Sequence, residues 1–141
     1  MASFIYNSFW EDLARGAIDM DTDTFQLMLV TSSYTPDQDA HLKRSAITNE
    51  VTGTGYTAGG ATCACTVAKD VSTNRVTFTF AGVNWPTSTI TARRGIIYKS
   101  RGGADTADEL VLCNDFGADI VTTAQTFTVA PSVITLQNAA A

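Results

Sequence analysis

Charged side chains are scarce in this sequence. They make up 16% of the 141 residues, against about a quarter in an average soluble domain. The apolar fraction of 45% is ordinary, so the chain has enough apolar surface to offset the entropy lost on folding. We infer that neighbouring molecules cover part of the folded surface. The net charge of −5 repels nucleic-acid phosphates, and we expect no nucleic-acid partner.

Long apolar runs are also absent. None approaches the roughly 20 residues that a membrane-spanning helix needs. Glu11, Asp12 and Arg15 interrupt the start of the chain, where a secretory signal peptide would be continuously apolar. We therefore expect no membrane association, and synthesis and retention in a cytoplasm.

Cysteine and histidine are too few for a convincing metal site. Cys63 and Cys65 would share one face of a strand and suit a metal pair, but only Cys113 and His41 remain to complete a zinc site. Three cysteines fit reduced thiols in a cytoplasm. The simpler reading is buried structural thiols, and we expect no bound metal.

The sequence also lacks the residue patterns of catalytic sites. It has no nucleophile elbow, zinc-protease motif, phosphate-binding loop or dinucleotide fingerprint. A serine or cysteine nucleophile would need a base, and His41 is the only histidine. Asp108 and Glu109 would suit a glycosidase only at a fixed separation across a cleft, and a polar loop before a strand is the simpler reading. We expect no enzymatic activity and no cofactor.

The spacing of three aspartates, Asp19, Asp21 and Asp23, is similar to the opening of a calcium-binding loop. An EF-hand loop then requires glycine at its sixth position and a bidentate glutamate at its twelfth. Thr24 and Val30 occupy those positions here. The sequence therefore favours a polar turn in which short acidic side chains cap free amides.

One short helix is predicted over residues 7–16. Ser8 and Glu11 have the spacing of a capping box, and Gly16 is a natural C-terminal stop. Phe9 and Leu13 lie four residues apart and share a face. Together with Trp10 they give a short helix more apolar surface than solubility needs, which indicates that it docks on a neighbour.

The rest of the chain has the pattern of an all-β protein. The 22 threonines favour strands, because β-branched side chains suit a pleated surface. Residues 25–30 are apolar on both faces, which predicts a strand covered on both sides. Some seven short strands with turns between them predict a single domain over 1–141, a β-sandwich of jelly-roll type. Its expected core is Phe25, Leu27, Leu29, Val76, Phe78, Phe80, Ile97, Val111, Phe127 and Val129.

The segment 32–62 has little periodicity and is predicted to be one long loop. Loops of this length are usually functional or ordered by a partner. Tyr34, Tyr56 and Trp85 fall in predicted loops, where aromatic side chains either anchor an interface or close the ends of the core. Arg93 and Arg94 are adjacent on a predicted strand and would face opposite sides, one of them towards an interface or both in solvent. The candidate interface residues are thus Phe9, Trp10, Leu13, Tyr34, Tyr56, Trp85, Arg93 and Arg94.

Several segments resemble a family of structural proteins of tailed bacteriophages. The longest matches are DTDTFQLMLVTSSYTPD at 21–37 and TNEVTGTGYTAGG at 48–60. Shorter ones follow in register at WP (85–86), STITAR (88–93), IYK (97–99) and DFG (115–117). Nearly the whole chain is therefore spanned by the resemblance.

Family members are similar to capsid decoration or cement proteins, which clamp neighbouring subunits on the outside of a phage head. The resemblance implies a location on the virion capsid, the major capsid protein as partner, and a symmetric homo-oligomer, a dimer or a trimer. The predicted helix and the 32–62 loop would supply docking elements. Two alternatives stay open: a head–tail or tail protein of the virion, and a host-surface carbohydrate-binding module that stacks sugars on Trp85, Tyr56 and Tyr34.

Overall fold

A computed structural model describes residues 2–137 of the chain. The short tail at 139–141, predicted to hold no structure of its own, lies outside them. Eight strands and one α-helix follow one another in the order β1 (Phe4–Ile5), α1 (Asn7–Ala14), β2 (Phe25–Val30), β3 (Ala61–Thr62), β4 (Cys65–Asp70), β5 (Arg75–Phe80), β6 (Val83–Lys99), β7 (Leu110–Val129) and β8 (Ser132–Gln137). Two single 3₁₀ turns lie at Arg44–Ala46 and Asp105–Ala107. The described chain contains no helix with the length and apolar character needed to cross a membrane.

The strands form two antiparallel sheets. The larger sheet has the order β1-β7-β6-β2-β3, and the smaller one has the order β4-β5-β8. The prediction of a mostly β protein with one short N-terminal helix is therefore confirmed.

Two of the strands are much longer than the sequence predicted. β6 has 17 residues and β7 has 20, where short separate strands were expected. Trp85, placed in a loop by the sequence, lies inside β6. The prediction failed because register shifts interrupt the alternation of apolar residues without ending the pairing of β6 with β7.

The β6–β7 pair continues into the smaller sheet as the β5–β8 pair. Val83 pairs with Val129 at the end of the first pair, and Phe80 pairs with Ser132 at the start of the second. A Cβ atom added to Gly82, between them, would lie 2.8 Å from the Val129 carbonyl oxygen. The absence of a side chain at Gly82 thus lets one long antiparallel ribbon bend from one sheet into the other.

The main hydrophobic core contains side chains of both sheets. The Phe25 ring of β2 meets the Phe80 ring of β5 edge to face, with 5.3 Å between the ring centroids. Of the ten core residues predicted, all are buried except Val76, which is partly buried and packs against the core.

A second apolar cluster covers the opposite face of the larger sheet. Met28 and Val30 of β2 belong to it, while Phe25, Leu27 and Leu29 belong to the main core. The prediction that this strand is covered on both faces is confirmed. Much of the cover is the segment predicted as a long loop, which contributes Tyr34 and Ile47.

That segment is held by the chain's own backbone. Thr31 N–H donates to the Asn49 carbonyl at 3.0 Å, and Val51 N–H donates to the Leu29 carbonyl at 2.9 Å. Its last two residues form β3. The segment therefore has an ordered conformation within the single chain, without a partner.

The N-terminal helix differs from its prediction in two respects. It ends at Ala14, with Gly16 at a φ of 76° just beyond the end. The helix begins at Asn7 as predicted, but the predicted capping box is absent, because Tyr6 and not Ser8 is the N-cap. The Ser8 hydroxyl is buried without a hydrogen-bond partner, and Glu11 pairs instead with Arg15 at 2.9 Å.

Candidate interaction surface

One half of the long β6–β7 ribbon carries no charge. Residues 83–92 of β6 and 120–129 of β7 include no Asp, Glu, Lys or Arg. Well-exposed protein surfaces usually carry about a quarter to a third charged residues. Charged residues are depleted where one protein buries its surface on another. The uncharged ribbon is therefore the strongest candidate for a contact surface.

The two faces of this ribbon differ sharply. Trp85 and Phe127 pair with one another and point into the main core. Asn84 pairs with Thr128, and Thr91 pairs with Val121, on the exposed face. We call this exposed face the ribbon surface; its residues are Asn84, Thr89, Thr91, Val121, Thr123, Thr126 and Thr128.

Hydrogen bonds under the ribbon surface fix its shape. The buried Ser88 hydroxyl lies 3.0 Å from the Thr122 hydroxyl and donates to the Gln125 carbonyl at 3.0 Å. Ala124 N–H donates to the Thr89 hydroxyl at 3.0 Å. Because these contacts already hold the strands where their register shifts, the ribbon surface would lose little conformational freedom on binding.

A shallow depression of about 340 Å³ lies at the edge of the ribbon surface. Thr52, Thr89, Thr91 and Thr123 line it together with Glu50. The Glu50 carboxylate accepts hydrogen bonds from the Tyr56 hydroxyl at 2.7 Å and from Gly59 N–H at 2.6 Å. Its carboxylate therefore holds the neighbouring loop in place, and the rest of the lining is hydroxyl and methyl groups.

No protein-family model matches this chain, and comparison with curated proteins and with solved structures gives no significant match. The resemblance to tailed-phage structural proteins accordingly stays a prediction.

The three aromatic residues predicted as anchors lie inside the fold. Tyr34 is 1% exposed and Trp85 is 5% exposed. Tyr56 is partly buried against Trp85, with 5.8 Å between ring centroids, and its hydroxyl also accepts a hydrogen bond from Leu29 N–H at 3.0 Å. These aromatics close the core, which was the alternative reading, and their rings are not free to stack on sugars.

The adjacent arginines share one intramolecular partner. Arg93 Nε and Arg94 Nε each lie 3.0 Å from an oxygen of Asp115, and Arg94 Nη1 also donates to the Tyr34 carbonyl at 3.1 Å. The register of β6 on β7 shifts between Ala92 and Arg94, next to this shared carboxylate. Burial would raise the pKa of Asp115, but the Gly117 amide and these arginines hold it below its usual value.

The acidic pair before β7 is buried and ion-paired, which its reading as a polar loop did not predict. The Asp108 carboxylate accepts from Arg44 Nε at 2.8 Å, and Glu109 accepts from Arg101 and from Lys43 Nζ. Burial alone would raise the pKa of Glu109; hydrogen bonds from Arg101 and Lys43 outweigh it and lower that pKa. The pair ties the 3₁₀ turn at Arg44–Ala46 to the turn between β6 and β7.

Of the three helix residues predicted to dock, only Trp10 is well exposed. Phe9 is fully buried in the main core, and Leu13 is partly buried against it. The Trp10 ring, 37% exposed, packs against Phe9 with 5.0 Å between centroids. The helix is thus mainly part of the chain's own core.

The remaining candidates have structural contacts. Burial raises the pKa of the Cys63 and Cys113 thiols to about 12, and Cys63 donates to the Ala81 carbonyl at 3.1 Å. His41 Nδ1 lies 2.8 Å from the Tyr34 hydroxyl.

The predicted turn at Asp19 is a polar turn, as expected: Asp19 accepts hydrogen bonds from the amides of Asp21 and Thr22. Within residues 2–137 no cluster of three or more metal-ligating side chains occurs.

Sequence reasoning missed the ribbon surface altogether. The signal was present, since two ten-residue stretches without a charge are unusual in any chain. They are 27 residues apart in sequence, and only the pairing of β6 with β7 places them side by side.

Proposed function

We propose that this chain is a structural protein of a tailed-bacteriophage virion that decorates the capsid exterior and cements neighbouring subunits of the major capsid protein. The observation that carries the proposal is the ribbon surface: it is exposed, uncharged and held rigid from beneath. The resemblance of residues 21–37 and 48–60 to phage structural proteins supplies the kind of assembly.

A cement protein stabilises the shell by binding to it and needs no catalytic group. A rigid surface made mostly of threonine side chains, with Val121 among them, can be desolvated at lower cost than a charged one, because it contains no charge that must lose its water. The buried ion pairs at Asp108, Glu109 and Asp115 brace the body behind it. Binding only to the assembled shell would stabilise that shell by mass action.

The finer classification of the fold belongs to the same proposal. We infer a β-sandwich of jelly-roll type, in which the larger and the smaller sheet face one another. The shared core and the contact of Phe25 with Phe80 support this arrangement. A bent ribbon shared by two sheets is also the way in which jelly rolls place successive strands on opposite layers.

The test compares charge insertion on two faces of the purified protein. Thr91→Lys with Thr123→Lys introduces two charges on the ribbon surface, and Thr135→Lys introduces one on the exposed outer face of β8 as the control. Binding to capsids that lack this protein should weaken roughly tenfold or more for the ribbon variant, because an unpaired lysine must be desolvated. The control should bind normally, and all variants should keep the wild-type melting temperature.

Two further measurements decide where the protein acts. Particles without it should release DNA at a lower temperature than complete particles, and the wild-type protein should restore retention. Because the ribbon surface is uncharged, the affinity should change little between low and physiological salt. Normal binding by the ribbon variant would refute the proposed surface. Density for this chain on the tail would replace the capsid role with the head–tail alternative.

A further inference from the structure

Part of the smaller sheet projects past the core. Directly paired residues share a face, and the faces alternate along each strand. The second row of residues after Phe78 therefore lies on the same inner face as that buried ring. This inward-facing row consists of Lys69, Val76 and Leu136. Leu136 is 38% exposed, as is Val67 in the row of Phe78. Within residues 2–137, the inner face of the sheet is thus only partly covered towards the β4–β5 turn.

Two shallow depressions lie along this inner face. One, of about 420 Å³, is lined by Lys69, Arg75 and Leu136 among others. The other, of about 370 Å³, includes Val67 and reaches the segment after the helix. Val67 of the second depression and Lys69 of the first are two residues apart on one face of β4, which places the two depressions side by side. We call the combined area the overhang surface; its residues are Leu13, Asp19, Met20, Asp21, Val67, Lys69, Val76 and Leu136.

The charges of the overhang surface are separated by sign. Of the nine basic residues in the chain, seven form ion pairs inside residues 2–137, and the two that do not are Lys69 and Arg75. Both lie at the β4–β5 end. Asp19 and Asp21, at the other end, are exposed and form no ion pair within the same residues. Asp70, which also lines the first depression, is paired with Arg75 across the strands, so Lys69 is the charge that the inner face carries at this end. The overhang surface therefore has Lys69 at one end, apolar side chains in the middle, and Asp19 and Asp21 at the other end.

We propose that this chain forms a two-fold symmetric dimer through the overhang surface. A two-fold interface brings the same patch of both copies together in opposite directions. Lys69 of each copy would then face Asp21 of the other, while Val67 and Leu136 of both copies cover one another. A patch with this order of charges is complementary to itself, and a second copy of the chain is the partner that this complementarity selects.

The dimer does not depend on the virion role. The overhang surface and the ribbon surface share no residue, so either could fail without the other. The Thr91→Lys, Thr123→Lys variant should dimerise normally even though it binds capsids poorly.

Sedimentation velocity of the full chain tests the dimer. Lys69→Glu should raise its dissociation constant roughly tenfold, because two symmetry-related attractions become repulsions. Adding Asp21→Lys to Lys69→Glu exchanges the charges and should restore most of the affinity. Thr66→Glu, on the outer face of the same strand, is the matched control and should have no effect. Melting temperatures identify any variant that fails to fold.

Leu136→Lys provides a second route to the same answer, since it should abolish the dimer through the apolar centre of the patch. Recovery in the charge-exchange variant would support the contact of Lys69 with Asp21. A chain that stays monomeric up to ~100 μM would overturn the proposal, since specific interfaces of ordinary size bind more tightly. So would an oligomer that is unaffected by both Lys69→Glu and Leu136→Lys.

Discussion

Gly60 should be among the least replaceable residues of this protein. It has a φ of 81°, which alanine adopts only with strain. A Cβ atom there would also overlap the Leu27 carbonyl oxygen and lie 2.7 Å from Met28 Cα. Both neighbours are backbone of β2, so β3 would have to move away, with loss of the pairing of Leu27 with Ala61.

Gly102 provides a matched control for the backbone strain alone. Its φ is 75°, and an added Cβ atom would meet nothing within 4 Å. Gly102→Ala should cost about 1 kcal/mol, the left-handed penalty of about 1–2 kcal/mol less what alanine removes from the unfolded chain's entropy. Gly60→Ala adds overpacking of about 1–3 kcal/mol and about 1 kcal/mol for each backbone hydrogen bond lost. We expect a total of about 3–5 kcal/mol.

Urea and thermal unfolding measure this difference. At about 3 °C per kcal/mol for a chain of this size, the melting temperature should fall by roughly 10–15 °C for Gly60→Ala and about 3 °C for Gly102→Ala. An equal fall in melting temperature for the two variants would show that backbone strain, and not the close approach of residue 60 to β2, determines the destabilisation. The segment 32–62 would then be less tightly joined to the core than its hydrogen bonds indicate.

Three further predictions concern the core, the helix and the buried charges. Phe80→Ala should cost about 3–5 kcal/mol in urea unfolding, whereas Val133→Ala on the outer face should cost well under 1 kcal/mol; similar costs would contradict the assignment of faces. Deleting residues 2–16 should leave the chain unfolded or strongly destabilised by circular dichroism, because the helix buries Phe9 in the main core; a stable truncated protein would revive the docking role. The folded-state pKa of Glu109 is lowered, so its ion pairs stabilise the protein above the unfolded pKa of about 4.5, and stability should fall as the pH drops below that value. Glu109→Gln should lower the free energy of unfolding at pH 7 by about 1–3 kcal/mol and make it depend less on pH below 4.5. An unchanged dependence on pH would refute the stabilising role of the Glu109 ion pairs.

Many of the few charges in this chain are used inside the fold. Seven of the nine basic side chains pair with acids inside residues 2–137, and Asp108, Glu109 and Asp115 are largely enclosed by these pairs. Much of the limited charge is therefore used to join loops to strands. Outside these pairs lie exposed acids such as Asp37, Asp105 and Asp119, the neutral ribbon surface, and the overhang surface with its charges at the two ends.

Local pattern alone was enough for the class of fold and much of the core. Phe25, Leu27 and Leu29 alternate with neighbours that are also apolar, and a strand with two apolar faces has to be covered twice wherever it lies. The short helix could likewise be placed from the spacing of Phe9 and Leu13 and from Gly16. Such inferences succeed because the period of a helix or strand is a property of residues close in sequence.

Only the tertiary structure decided what each exposed-looking residue does. Tyr34, Trp85 and Arg94 read as surface anchors because nothing near them in sequence supplies a partner. Their partners come from distant segments, as when Asp115 meets Arg94 across a register shift. The ribbon surface arises in the same way, from two uncharged stretches brought together by strand pairing. Long-range pairing fixes which side chains are neighbours, and no periodicity within one segment encodes that choice.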